Sequence, residues 1–350
     1  MLKQAAAGDF AWQLQNTVRS TGGLQDYLTL SPEEKSSIDT VAAVYRLAVT
    51  PYYLGLMDRT DSTCPLRRQM IPDALELPSS GGCYDPLQEE QFAVAPHLIH
   101  RYPDRAVLLV TNGCFSYCRH CTRKRLMLHG EALYDTAAAL AYIRRHSRIR
   151  DVLISGGDPL VLEDDQLEAV LAAVRSIGHV DIIRIGTRAP VVMPARISAA
   201  LVTMIRKYHP VWINTQFNHP RELTPEALAA CSLLVDAGIP LGNQSVLLKG
   251  VNDDTAVIRE LMIGLVRNRI RPYYLYQCDR VRGAEHFVTP LRLGMEIIGS
   301  LRGHVSGLAV PLFVVDLPAG GGKIVLEPEK VVSRQGDRLT IRHEGKIYTL

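Results

Sequence analysis

The chain has 350 residues, 47% of them hydrophobic and 21% charged, with a net charge of +3. Those proportions fit a globular enzyme with one large domain and additions, and the charge is too small to argue for nucleic acid. The seven cysteines are odd in number and three are clustered, unlike a secreted disulfide scaffold, so a reducing, cytoplasmic compartment is expected.

In chain order, MLKQAAAGDFAWQLQ lacks the charged-then-apolar pattern of a leader. No apolar run nears the roughly 20 residues that cross a bilayer, so no membrane partner is expected. Residues 1–95 read as helical and connective. Trp12, Leu14, Val18, Leu24 and Tyr27 form a loose helical stripe. Ser31-Pro32-Glu33-Glu34 reads as a helix start, with Ser31 as N-cap, Pro32 at the first helical position and acids in the first turn. Thr60 to Pro86 is rich in Pro, Gly and Ser and reads as a long arm over a surface.

From Arg105 short apolar strands alternate with amphipathic helices. The expected strands are 106–111, 151–155, 182–187, 211–217, 241–248 and 271–277; the expected helices are 134–146, 163–177, 196–208, 223–237, 254–268 and 291–302. Six β-α units in series predict a parallel sheet with right-handed crossovers. Periodicity leaves a doubly wound sheet and a partial barrel both open. In either, the active site belongs at the C-terminal ends of the strands. After residue 303 the pattern stops. LFVVD (312–316) reads as one more strand, followed by LPAGGGK, and LTIRHEGKIYTL reads as a hairpin turning at Glu344-Gly345. This divides the chain into a helical region and arm (1–95), an α/β unit (96–303) and a C-terminal segment (304–350).

Four motifs carry chemistry. Cys114, Cys118 and Cys121 follow the first core strand at C-x3-C-x2-C spacing. Three thiolates hold three irons of a [4Fe–4S] cluster and leave the fourth open to a small molecule. The competing readings are a zinc knuckle, which needs a fourth ligand not spaced here, and a redox C-x2-C pair. Ser155-Gly156-Gly157-Asp158-Pro159 ends the second strand, either as a turn or as a loop whose glycines admit a ligand and whose Asp158 accepts from an ammonium. Asp316 to Lys323, DLPAGGGK, is no nucleotide P-loop, because Ile324 follows the lysine. A mobile Schiff-base lysine and a merely exposed lysine both remain open. Arg101 and Arg105 flank the turn in HRYPDR and suit either a phosphate or surface salt bridges.

Together these residues resemble the lysine 2,3-aminomutase family of radical S-adenosylmethionine (SAM) enzymes. The resemblance runs from about residue 10 to 350 through TPYYLGLMD, IPDALEL, HRYPDRAVLLVT, CRHCTRKR, RDVLISGGDPL, RIGTRAPVVMPARI, FNHPRELT, PLGNQSVLLKGVND, RPYYLYQCD and FVVDLPAGGGK. It implies a partial (β/α)6 barrel with an N-terminal helical extension and a C-terminal segment carrying a pyridoxal 5′-phosphate (PLP) lysine. It also implies an isomerase that moves an α-amino group to the β-carbon of a free basic amino acid, most simply L-lysine. The alternatives are arginine, a protein-linked lysine or, in another class, an iron–sulfur electron carrier. Cys114, Cys118 and Cys121 would hold the cluster. His120 would lie near the adenine of SAM, and Ser155, Gly156, Gly157 and Asp158 would hold its methionyl end. Lys323 would bind PLP, with Arg101, Tyr102 and Arg105 on its phosphate and Gln244 near the cofactors. Arg123 would pair with the substrate carboxylate, and Asp279 and Asp316 with its distal ammonium. A flavodoxin or ferredoxin would supply electrons to a homodimer.

The chain departs from the family in places. A zinc-ligating cysteine after the VND motif is Asp254 here, and no cysteine follows Cys278, so no structural zinc is expected. A family histidine beside FNH is Gln216, a glycine of the PLP loop is Ala319, and Arg280 and Arg282 follow Asp279 closely.

Overall fold

The fold is described from a computed structural model that covers residues 9–77, 81–317, 320–327, 331–335, 338–343 and 346–349. One sheet dominates. Its strands are β1 (Ala93–Ala95), β2 (Leu98–Tyr102), β3 (Arg105–Thr111), β4 (Asp151–Gly156), β5 (Ile182–Gly186), β6 (Val211–Thr215), β7 (Leu241–Leu247), β8 (Ile270–Gln277), β9 (Leu312–Leu317) and β10 (Gly322–Val325). They lie side by side in sequence order. β3 to β9 are parallel, while β1, β2 and β10 pair antiparallel at the two ends.

This order decides between the two architectures. A doubly wound sheet reverses its strand order at a switch point and carries helices on both faces. Sequential order with right-handed crossovers keeps the crossover helices on one face and curls the sheet, so the chain is a partial β/α barrel. The helices are α1 (Ala137–Arg145), α2 (Asp164–Arg175), α3 (Ala199–Arg206), α4 (Pro225–Asp236), α5 (Thr255–Arg267) and α6 (Leu291–Leu301), each within the expected range. Their apolar stripes, including Leu167, Leu171, Leu201, Ile205, Leu234, Leu261 and Leu265, are buried in one cluster with Ile154, Ile183, Ile185 and Ile213 of the strands. Each such side chain contributes about 1.5–3 kcal/mol on burial.

The N-terminal region differs from its expected stripe. The first helix among the described residues ends at Gln15, and Val18 instead exchanges backbone hydrogen bonds with Val49. The Ser31 start forms as expected: Glu34 N–H donates to Ser31 Oγ (3.2 Å) and Ser31 N–H to Glu34 Oε2 (2.8 Å). The arm packs closely where it is described. It forms a helix at Pro65–Met70 and buries Gln69 and Glu76.

The sheet ends also meet. Lys323 N–H on β10 donates to Tyr102 Oη on β2 at 3.0 Å. Arg101 Nη1 lies 3.7 Å from Asp316 Oδ1 on β9. Gly320, at φ +71°, is where the chain folds back against Gln91 and Phe92, and a Cβ there would collide with both. Beyond this seam β11 (Val331–Gln335), β12 (Arg338–His343) and β13 (Lys346–Thr349) form a second, antiparallel sheet. β12 and β13 pair as the expected hairpin requires; its turn at Glu344-Gly345, Ala319 and the first eight residues lie outside the described residues. Among the described residues no helix is long and apolar enough to cross a membrane.

Candidate active site

The cysteine loop leaves β3 at its C-terminal end and is held from beneath. Arg119, inside the motif, points into the protein. Its Nε and Nη2 donate to the Glu76 carboxylate at 2.5–3.0 Å, and its Nη1 to Arg46 O at 2.9 Å. Lys124 Nζ donates to Glu76 Oε2 (2.5 Å), Arg119 O (2.8 Å) and Gly283 O (2.9 Å). All three side chains are at most 1% exposed. Burial pulls the Lys124 pKa down to about 8, and burial pushes Glu76 up less than its two cations hold it down. Sequence reasoning missed Glu76, although it lies in the IPDALEL segment.

The glycines after β4 serve the same loop. A Cβ on Gly157 would strike the Gly113 carbonyl, and the amide N–H groups of Gly157 and Asp158 donate to Thr111 O (2.7 Å) and Gly113 O (2.8 Å). What the glycines admit is the backbone of the cysteine loop. The buried Asp158 carboxylate accepts from Leu160 N–H (3.0 Å), Thr187 Oγ1–H (2.7 Å) and Arg188 N–H (2.8 Å), tying the ends of β4 and β5 together. Burial pushes its pKa up, against these three donors.

The donor set fits a cluster. Burial pushes the Cys114 and Cys121 thiols up, and the neighbouring thiols push them further, Cys118 and Cys121 on Cys114 and Cys118 on Cys121. Irons supply the positive charge that such a group of sulfurs lacks. Each sulfur could bind a different iron, which would leave one iron open for SAM. Arg188 Nη1 donates to Cys118 Sγ at 2.8 Å, while its Nη2 is fixed by Gln69 (2.6 Å) and Glu222 (2.7 Å). His120 is buried beside the loop. Its Nε2 lies 3.4 Å from Gln216 Nε2 and 3.3 Å from Asn218 Nδ2. Amide nitrogens only donate, so Nε2 accepts and the proton sits on Nδ1, which has no partner among the described residues. Burial, helped by Arg188 and Lys124, keeps the ring neutral. An unpartnered buried N–H beside the cysteines fits a ligand's acceptor, and Gln216 bears on this ring.

The seam gathers a second group. Lys323 and Asp316 are directly opposed across β9 and β10. Lys323 Nζ sits 2.9 Å from Asp316 Oδ2 and 5.2 Å from the centre of the Tyr276 ring. The Asp316 side chain is 5% exposed. Arg101 has Nε and Nη2 buried and without a partner among the described residues. Arg105 stacks on the Tyr102 ring at 3.9 Å and pairs with Asp104 at 2.8 Å. Arg101 near the end of β2 and Arg105 at the start of β3 stand away from the strand ends expected to hold the site, and Arg101 comes to Asp316 because the sheet ends meet. Asp279, just past β8, accepts from Thr122 Oγ1–H at 2.7 Å. Burial and then the Asp316 charge push it up to about 6, against Thr122 and Lys323. Arg280 and Arg282 are exposed. Gln244 is half-buried on β7, opposite Tyr274 of β8. Arg123 lies beside the cysteine loop: Nη1 donates to Ser155 Oγ at 3.2 Å, and the rest of its guanidinium is held by Glu89. Asp254, at the zinc-cysteine position, caps α5 by accepting from the N–H groups of Ala256 (2.7 Å) and Val257 (3.2 Å).

Comparisons with known proteins agree with this arrangement. Residues 298–350 match the family described as Lysine-2,3-aminomutase, and residues 108–262 the Radical SAM superfamily. The chain is 50% identical over 346 residues to the L-lysine 2,3-aminomutase of Clostridium subterminale, covering 97% of this chain and 83% of that protein. Against the L-lysine 2,3-aminomutase of Bacillus subtilis it is 48% identical, covering 97% and 73%. Against the glutamate 2,3-aminomutase of Clostridioides difficile it is 43% identical, covering 97% and 81%. Likeness of this degree, over nearly the whole chain and on a barrel that presents three thiols at its strand ends, makes the chain a member of the lysine 2,3-aminomutase family, an isomerase of the radical SAM type with a [4Fe–4S] cluster and SAM.

Proposed function

We propose that this chain converts free L-lysine to β-lysine, with PLP bound at Lys323 as its further cofactor. One observation carries the reading: an ammonium, that of Lys323, already rests on buried Asp316 within the field of Asp279. Two buried carboxylates need a cation, and a substrate with a distal ammonium supplies one. The unpartnered Arg101 nitrogens, with Tyr102 and Arg105 alongside, suit the PLP phosphate.

When bound, the cluster and SAM would supply the radical chemistry, and PLP would supply a carbonyl for the migrating amine and a ring able to spread an unpaired electron. The chain's residues do the rest. Arg123 holds the substrate carboxylate. Lys323 must leave Asp316 to react with PLP, and its departure frees Asp316 for the substrate's distal ammonium. Asp279 takes the other side of that ammonium. Cys114, Cys118 and Cys121 would hold the cluster at the strand ends, and His120 and the loop from Ser155 to Asp158 would hold SAM. A small redox protein such as flavodoxin or ferredoxin would reduce the cluster, and the expected assembly is a cytoplasmic homodimer.

Glutamate, the substrate named for one relative, would add a third negative charge here. Leaving buried charge unpaired costs roughly 3–5 kcal/mol, and the exposed Arg280 and Arg282 do not offset it. The test is an anaerobic assay with reductant, SAM, PLP and a panel of free amino acids. β-Lysine from L-lysine is expected. Turnover of glutamate or alanine as fast as lysine would overturn the paired-carboxylate argument.

A further inference from the structure

Arg123 is not free to turn. Its Nε donates to both oxygens of Glu89 (2.9 and 3.0 Å), its Nη2 to Glu89 Oε1 (2.7 Å), and its Nη1 to Ser155 Oγ (3.2 Å). Among the described residues, that leaves one N–H on each terminal nitrogen for a ligand. Glu89 is held in turn. Arg125 Nη2 donates to its other oxygen at 2.7 Å, and Arg125 lies 3.5 Å from Asp85. The Glu89 side chain is 7% exposed. Burial pushes this carboxyl up, but Arg123 and Arg125 outweigh it and hold the pKa at about 2, so it stays charged. It comes from the short helical turn Glu89–Phe92 that leads into β1, far in sequence from the pocket it braces.

A long arginine side chain loses much rotamer freedom when a ligand fixes it, and a side chain fixed beforehand avoids that cost at binding. We propose that Glu89 is a positioning residue for substrate recognition: it locks Arg123 so that the terminal nitrogens face the pocket, and so sets the preference for amino acids with a free α-carboxylate. This rests on the reading of Arg123 as the carboxylate ligand.

The experiment uses anaerobic holoenzyme loaded with cluster and PLP, without reductant. L-lysine and L-lysinamide, which lacks the carboxylate, are titrated and followed by the PLP absorbance. Glu89→Gln should weaken L-lysine roughly 10- to 100-fold, the scale seen when the partner orienting a ligating group is removed, and leave L-lysinamide unchanged. Arg123→Met should abolish the preference for L-lysine. A preference that survives Arg123→Met sinks both readings. A preference lost in Arg123→Met but intact in Glu89→Gln sinks the role of Glu89 alone. Equal weakening of both ligands in Glu89→Gln marks a merely structural residue and also overturns it. If Glu89→Gln does not load cofactors, Glu89→Asp is read the same way: it keeps the charge with a shorter reach, and an unchanged preference overturns the proposal.

Discussion

Asp279 must be ionised to hold a cation, and burial and the Asp316 charge push its pKa up to about 6. Above that value the carboxylate is charged and would attract the ammonium of the proposed substrate. As pH falls through it, the group protonates and the attraction is lost. The KM for L-lysine should therefore rise about tenfold per pH unit below 6, as one required ionisation dictates. Asp279→Asn should give a high KM that is flat between pH 5 and 7; a slope unchanged in that variant would place the titration elsewhere. Asp316→Asn removes half of the pair and should cost about 2–5 kcal/mol of lysine binding, as truncation of a buried charge partner does, while cluster and PLP remain. Borohydride trapping followed by peptide mapping should put the pyridoxyl group on Lys323. A label on any other lysine would show the seam misread.

At the scale of elements, the cysteine loop depends on two neighbours outside it. Glu76 is the one carboxylate that the described contacts place on buried Arg119 and Lys124. Glu76→Gln leaves two buried cations without a counter-charge, a change that costs about 3–5 kcal/mol. Lower melting temperature and lower iron content should appear together. Gly157→Ala drives a methyl group into the Gly113 carbonyl, and overpacking of this kind costs about 1–3 kcal/mol. Its expected signature is incomplete iron loading with the barrel intact by circular dichroism. Full iron and an unchanged melting temperature in both variants would show that the loop holds its own shape.

The whole molecule places its two candidate cofactor groups at different boundaries of one sheet: the cysteines at the strand ends, and Lys323 where the two ends of the sheet meet. Reconstituted protein should bind about four irons per chain by three-cysteine ligation, and Ala at any one of Cys114, Cys118 or Cys121 should abolish SAM cleavage. Because Asp254 is already spent as a helix cap, metal analysis should find zinc well below one per chain. Stoichiometric zinc would mean that another ligand set exists.

Local patterns determined the repeat. Strand alternation, helical stripes and the Ser31 cap are written within a few residues of one another, and strands and helices form within a few residues of where the periodicity puts them. The cysteine spacing was legible for the same reason, since one loop supplies all three sulfurs. Tertiary structure alone decided the rest. The contact between Tyr102 and Lys323 joins residues 221 positions apart, and strand alternation is the same whichever strands become neighbours. Glu76 and Glu89 read as ordinary acids ahead of the barrel, because an ion pair across the fold leaves no period in the sequence. Burial beneath Arg119 and beside Arg123 gives them their roles: only out of water does one carboxylate's position govern an arginine so strongly.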